Sequence, residues 1–373
     1  MKKIALAATA VAAAAALALA GCSSDRGGGS SSDGATGAAG FAADATIGIA
    51  LPDKTSENWV LAGGLFEDGL KAAGFNPDVQ YAPASNTVAE QQNQISAMVT
   101  NGAKVIVIGA KDGKQLGTQL QQAADAGVKI IAYDRLIENT PNVDYYVAFD
   151  NFKVGELQGQ ALLDGLAARS GHEAPWNIEL FSGSPDDANS AVFFNGAMKV
   201  LQPKIDDGTL VVASGQTDIQ QTATQGWKAE NAQSRMDSIL AANYTSANID
   251  GVLSPNDTLA RAIITSAKQA GKDISKITVT GQDSEVESVK SIMAGEQYST
   301  INKDTSLLVE QTIKMIQQLQ KGEDVEVNDT EQYDNGVKVV PAYLLAPVIV
   351  TKENAAEAYA NNPNLLDIVK QAG

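Results

Sequence analysis

From Ala45 onward, short β-branched runs alternate with helical patterns, and they do so in two successive series. Candidate strands at 46–51, 79–81, 105–109, 129–133 and 145–149 enclose helix-like stretches at 59–73, 87–101 and 113–126. Gly74, Gly102 and Gly127 stand just past those helices, where a left-handed C-terminal residue is favoured. The second series has strands at 178–181, 210–214, 252–254 and 278–280, with helices near 189–205, 228–242, 259–270 and 286–294. Apolar strands between helices belong to parallel sheets covered on both faces. The pattern therefore predicts an α/β protein of two doubly wound lobes. A chain of 373 residues is too long for one ordinary core, which agrees.

In an open parallel sheet, ligands meet the loops at the carboxyl ends of the strands. Polar clusters stand at those ends: Pro52-Asp53-Lys54, Asp134-Arg135, Asp150-Asn151, Ser184 to Asn189, Asn256-Asp257, Gln282-Asp283 and Lys303. A neutral polyhydroxylated ligand needs fixed donors and acceptors, plus a flat apolar face for its C–H side. Asp134, Asp187 and Asp283 supply acceptors, Arg135 and Lys303 supply donors, and Asn189 and Asn256 supply both. Trp59 and Trp227 are broad, rigid platforms. The set suits a sugar better than a phosphate or a hydrophobic ligand.

Plainer roles compete for the same residues. Asp134-Arg135 could be a strand-end ion pair, and Asp186-Asp187 helix N-terminal residues favoured by the dipole. Asn256-Asp257 reads as a cap, and Asp257 is assigned to that alone. Trp176 is assigned to structure. A glycoside hydrolase would need two carboxylates across a scissile bond from each other. Adjacent Asp186 and Asp187 point in different directions, whereas Asp134 and Asp283 could face one another across a cleft.

Composition removes other classes. A net charge of −17 argues against a nucleic-acid partner, which needs a basic patch. The single histidine, His172, reads as a solvated loop residue, so a histidine triad or a multi-histidine metal site is excluded. No catalytic residue, cofactor or metal is expected. The single cysteine, Cys22, follows Lys2, Lys3, an Ala/Leu-rich stretch and Leu19-Ala20-Gly21. That order is a secretory signal, and its ending resembles a bacterial lipobox in which Cys22 is lipidated. Residues 1–21 are read as the signal and 22–44 as a Gly/Ser-rich tether, leaving an extracytoplasmic, lipid-anchored body.

The strand-end clusters sit in longer segments, among them Ile131-Ala132-Tyr133-Asp134-Arg135-Leu136-Ile137, Val252-Leu253-Ser254-Pro255-Asn256 and Gly281-Gln282-Asp283. In these the chain resembles the periplasmic sugar-binding proteins of ABC importers, in the xylose-binding and multiple-sugar-binding branch. The resemblance runs from about Ala45 to Lys352. It implies the type I periplasmic-binding-protein fold, two Rossmann-like lobes joined by a three-crossing hinge. The lobes would be 45–149 plus 283–327 and 150–282 plus 328–373, with hinges at Asp150-Asn151, Gln282-Asp283 and Asn328 to Asp334. Asp134 and Arg135 would hold a monosaccharide from the first lobe, and Asp187, Asn189, Asn256 and Asp283 from the second or the hinge. Lys303 would complete the ring, with Trp59 and Trp227 on its two faces.

One position departs. Relatives in this branch carry arginine immediately before the first-lobe tryptophan, and here the residue is Asn58. The shorter amide withdraws a donor and leaves room, Lys54 is expected to compensate, and pentose-hexose preference is expected to be set partly there. The implied function is capture of an aldopentose or aldohexose by a monomeric receptor that delivers it to permease and ATPase subunits. A chemotactic or signalling sensor is the alternative. A transcription regulator of this fold would need a DNA-binding domain.

Overall fold

The computed structural model describes residues 40–54, 56–83 and 88–372. The signal, Cys22 and most of the 22–44 tether lie outside the described residues.

The first series folds as β1 (Thr46–Leu51), α1 (Glu57–Ala72), β2 (Asn76–Tyr81), α2 (Val88–Thr100), β3 (Val105–Ile108), α3 (Gly117–Asp125), β4 (Lys129–Tyr133) and β5 (Tyr145–Phe149). These strands form a parallel sheet in the order β2-β1-β3-β4-β5. Successive strand residues point to opposite faces. Ile47, Ile49, Val105, Val107 and Ile131 therefore pack with Phe66 and Leu70 of α1, while Ile106, Ile108, Ile130 and Ala132 pack with Ile95, Met98 and Leu120 of α2 and α3. Each of these side chains larger than alanine stabilises the lobe by about 1.5–3 kcal/mol relative to exposure. Burial on both faces explains the continuous apolar strands.

After Phe149 the chain crosses to the second lobe. Asp150 caps α4 (Asn151–Arg169), its carboxylate accepting from the Lys153 N–H at 2.9 Å. Then come β6 (Trp176–Leu180), α5 (Ala188–Asp206), β7 (Leu210–Val212), α6 (Ile219–Thr222), α7 (Ala229–Asn243), β8 (Gly251–Leu253), α8 (Asp257–Gln269), β9 (Thr278–Val279), α9 (Val286–Met293) and β10 (Ser299–Asn302). The parallel sheet is ordered β7-β6-β8-β9.

The chain returns through α10 (Thr305–Lys321), whose Met315 and Ile316 enter the first core. The strand β11 (Ala342–Leu345) extends the first sheet by pairing parallel with β5. A third crossing leads to β12 (Val348–Thr351), antiparallel to β10, and to α11 (Ala355–Ala358) and α12 (Pro363–Ala372). Among the described residues no helix is long and apolar enough to cross a membrane.

Two lobes and three crossings match the expectation, but two boundaries move. The stretch from 283 to 302 belongs to the second lobe, not the first: the Asp283 N–H donates to the Ile301 carbonyl at 2.9 Å, and Ile301 packs with Val154 and Phe193. The stretch from 328 to 345 belongs to the first lobe, not the second, because Tyr333 is in its core and Asn328 N donates to Ala342 O at 2.9 Å. The later crossings therefore lie near 302–305 and 345–348, not at Gln282-Asp283 or Asn328 to Asp334.

Candidate functional site

Both sheets reverse strand order at one point, and a crevice opens there at the carboxyl ends. In the first sheet β1 has β2 on one side and β3 on the other, and in the second β6 lies between β7 and β8. The loops from these strands line one cavity of ≈ 660 Å³.

On the first wall, Trp59 lies in the first turn of α1, with its ring against Gly109 at the end of β3. A Cβ at Gly109 would strike that ring. Arg135 places its guanidinium 5.4 Å from the Trp59 ring centroid and donates from Nη1 to the Ala110 carbonyl at 3.1 Å. The preceding residue, Asp134, has φ 63°, and Arg135 N donates back to Tyr133 O at 2.7 Å. This three-residue turn has the rarer, strained hand. The turn ends β4 abruptly and presents the carboxylate to the cavity. The Tyr146 hydroxyl and Asn189 Nδ2 donate to the Asp134 backbone carbonyl at 2.7 and 2.8 Å. The side-chain carboxylate makes no hydrogen bond with a described residue. Burial pushes its pKa up, as do Asp187 and Asp283, while Lys303 and Arg135 pull it down by less.

On the second wall, Asp187 is the N-cap of α5. Its Oδ1 accepts from Asn189 N at 3.0 Å, and its Oδ2 accepts from Trp227 Nε1 at 3.2 Å and forms an ion pair with Arg135 Nε at 3.1 Å. One carboxylate thus fixes a helix end, an aromatic platform and a cation of the opposite lobe. Trp227 has φ 56° and its ring lies against Gly183, which a Cβ would prevent. Asn256 caps α8 through its side-chain oxygen, accepting from Leu259 N at 3.0 Å, so its amide N–H groups remain for a ligand. Asp283 has φ 96° and accepts from Lys303 Nζ at 2.9 Å. Burial opposes the Lys303 charge, but Asp283, Asp134 and Asp187 outweigh it and raise its pKa.

Asn58, Trp59, Asp134, Arg135, Asp187, Asn189, Trp227, Asn256, Asp283 and Lys303 all line this cavity. Lys54 does not. It is exposed and its ammonium lies 4.6 Å from the Tyr81 ring centroid, held by cation–π attraction away from the cleft. Asp257 is not the cap assigned to it: it is fully buried behind Asn256, accepting from Gln297 Nε2 at 2.8 Å, Thr300 Oγ1 at 2.9 Å and Glu285 N at 3.0 Å. Asn189 is partly spent within the protein, since Asn151 Nδ2 donates to its Oδ1 at 3.1 Å. His172 is a loop residue paired with Asp250 at 3.0 Å, outside the cavity lining.

Sequence reasoning missed Lys111, Tyr133, Phe149 and Phe193, and it gave Asp53, which forms an ion pair of 2.9 Å with Lys111 in the cavity wall, only within a strand-end cluster. It also gave Gln282 only as part of a strand-end cluster, although it lines the cavity and its buried Oε1 has no partner among the described residues. The three aromatics carry no signal that separates them from core residues. Lys111 does carry one, being a charged residue just past a buried strand.

The arrangement gives two aromatic faces enclosing paired charges, with donors and acceptors from both lobes. It can hold a ring with apolar faces and a hydroxylated rim. Residues 47–324 match the model of the periplasmic binding protein domain. The chain is 52% identical over 318 residues to the multiple sugar-binding periplasmic receptor ChvE of Rhizobium radiobacter, covering 84% of this chain and 89% of that one. It is 34% identical to the D-xylose-binding periplasmic protein of Escherichia coli, covering 86% and 90%. A solved ABC transporter solute binding protein from Clostridium phytofermentans, with bound β-D-glucose, is 40% identical with a TM-score of 0.81, covering 86% and 99%. Fold, cleft and sequence agree, and the chain belongs to the periplasmic binding protein family, with the type I fold.

Proposed function

We propose that this protein is the extracytoplasmic receptor of an ABC sugar importer, which captures an aldopentose or aldohexose between its lobes and delivers it to the permease. The observation that carries this reading is the enclosure of Asp134, Arg135, Asp187, Asp283 and Lys303 between Trp59 and Trp227, with both lobes contributing. Charge-assisted hydrogen bonds to hydroxyls are the strong class, and the indole faces cover the C–H side of a pyranose. Closure gains contacts that neither lobe offers alone, so the ligand shifts the lobes toward the closed state. The β-D-glucose bound by one similar protein and the D-xylose bound by another support a monosaccharide. The protein binds without turnover and works as a monomer, anchored by lipid on Cys22.

Titration of intrinsic fluorescence and calorimetry with D-xylose, D-glucose and D-galactose test the reading. One-to-one binding that quenches or enhances the tryptophan signal, with the sugar recovered unchanged, is expected. No heat with any monosaccharide overturns it. Cys22→Ser is expected to release the protein from membranes with sugar affinity unaltered.

A further inference from the structure

We infer that the Asp53–Lys111 pair is an outer subsite of the cleft that holds an exocyclic hydroxyl of the bound carbohydrate. That hydroxyl is either the hydroxymethyl of a hexopyranose or the first hydroxyl of an attached glycosyl residue. The inference rests on the receptor reading above and adds where the ligand's outer end is held.

Position in the sheet is the first observation. Asp134 and Arg135 follow β4, whereas Asp53 follows β1 and Lys111 follows β3. The first sheet runs β11-β5-β4-β3-β1-β2, with the crossing strands β5 and β11 at one side. Stepping from β4 to β1 leads away from the hinge and covers two strand spacings, about 10 Å. The pair thus stands at the switch point itself, where an open α/β sheet receives its ligand. A cavity of ≈ 660 Å³ reaches from the hinge-side groups to this pair. That is in the roughly 300–1,000 Å³ range of sites for larger ligands, more than a lone pentopyranose needs.

The chemistry of Lys111 is the second observation. Its Nζ is 2.9 Å from Asp53 Oδ2 and 3.4 Å from the Pro83 carbonyl. An ammonium has three N–H donors, so one is left to meet a ligand. The side chains of Lys111 and Asp53 are only 19% and 17% exposed. Fully buried Gln91 holds the loop, accepting from Lys111 N at 2.8 Å and donating to Gly109 O at 2.8 Å. A charged donor with a fixed backbone, a fixed counter-ion and one N–H remaining is pre-organised for an uncharged hydroxyl. It also supplies the cation that Asn58 does not.

Calorimetry on the full chain with D-xylose, D-glucose and maltose tests this, comparing the wild type with Lys111→Met. The variant is expected to lower the affinity for glucose, or for maltose, about tenfold relative to xylose, the loss of one charge-assisted hydrogen bond. A fall in the glucose ratio assigns the hydroxymethyl, and a fall in the maltose ratio alone assigns the attached residue. Equal falls for all three sugars, or no fall, overturn the subsite. A wild type that binds xylose alone overturns it too, while the receptor reading stands; binding of none overturns both. If Lys111→Met does not fold, Asp53→Asn, which releases the ammonium from its anchor, reads the same ratio.

Discussion

The two walls of the cleft hold their polar groups by different devices. On the first wall, Asp134, Arg135 and Lys111 project from the ends of parallel strands, and the cap of α1, Ser56, is an uncharged cavity residue accepting from Asn58 N at 3.3 Å. On the second wall the caps of α5 and α8, Asp187 and Asn256, are themselves among the polar groups proposed to meet the ligand. Each wall lays one tryptophan ring against a glycine, Gly109 or Gly183. The platforms are therefore alike and the polar groups are not. Asp187 and Asn256, ligand-facing groups proposed on the second wall, double as helix caps, and those proposed on the first do not.

The largest test of that contrast is Asp187→Ala. The change removes the α5 cap, frees the Trp227 indole N–H and leaves the Arg135 guanidinium, 16% exposed, without its carboxylate. Breaking a buried pair costs about 3–5 kcal/mol, and a lost cap adds about 1 kcal/mol. Urea denaturation is expected to show a loss of that size, with sugar binding falling below detection. Arg135→Leu is the matched first-wall change. Asp187 keeps its bonds from Asn189 N and Trp227 Nε1, so stability should fall by no more than about 1–3 kcal/mol while affinity falls roughly ten- to a hundredfold. Equal stability losses in the two variants would break the contrast.

Behind the second wall, outside the cavity lining, lies a fully buried carboxyl, Asp257. Burial pushes the Asp257 carboxyl well above its ordinary range, and the nearby Glu285 and Asp283 carboxylates add to this. In the unfolded chain the same carboxyl titrates at 3.8. Between the two values the folded protein holds a proton that the unfolded chain has released. Stability from this group is therefore greatest at low pH and is lost as pH rises toward the folded pKa. Thermal melts from about pH 5 to about pH 8 should show the decline, and Asp257→Asn, which cannot ionise, should flatten its slope by a few degrees. An unchanged slope would mean that Asp257 is ionised in the folded protein as it is in the unfolded chain.

What the sequence disclosed divides along the same line. Asp134, Asp187, Asn256 and Asp283 were legible because polar residues cluster in the loops that follow buried strands. Strand alternation likewise gave both sheets, since burial on two faces leaves an unbroken apolar run. The crossings were not legible. The strand β11 joins β5 across the whole second lobe, and no local pattern carries that pairing. Asn256 and Asp257 are neighbours with the same cap signature, and only the packing of Gln297 and Thr300 tells them apart. Lys111 and Lys54 are the sharpest case, because both are loop lysines just past a first-sheet strand.

Lys54 therefore provides the smallest and most discriminating test. Its exposed ammonium stacks on Tyr81 and its loop lies one residue from Asp53, so the sequence gives it a better claim to the cleft than Lys111. The structure reverses that order: Lys111 lines the cavity and Lys54 does not. An exposed cation–π contact contributes about 0.5–1 kcal/mol, so Lys54→Ala should lower stability by no more than that. Sugar affinity should stay within about twofold, since less than ~0.5 kcal/mol of binding is at stake. A larger loss of affinity by calorimetry would mean that Lys54 swings over the bound ligand, and the first wall would then owe its outer cation to a mobile side chain instead of one fixed by Asp53 and Gln91.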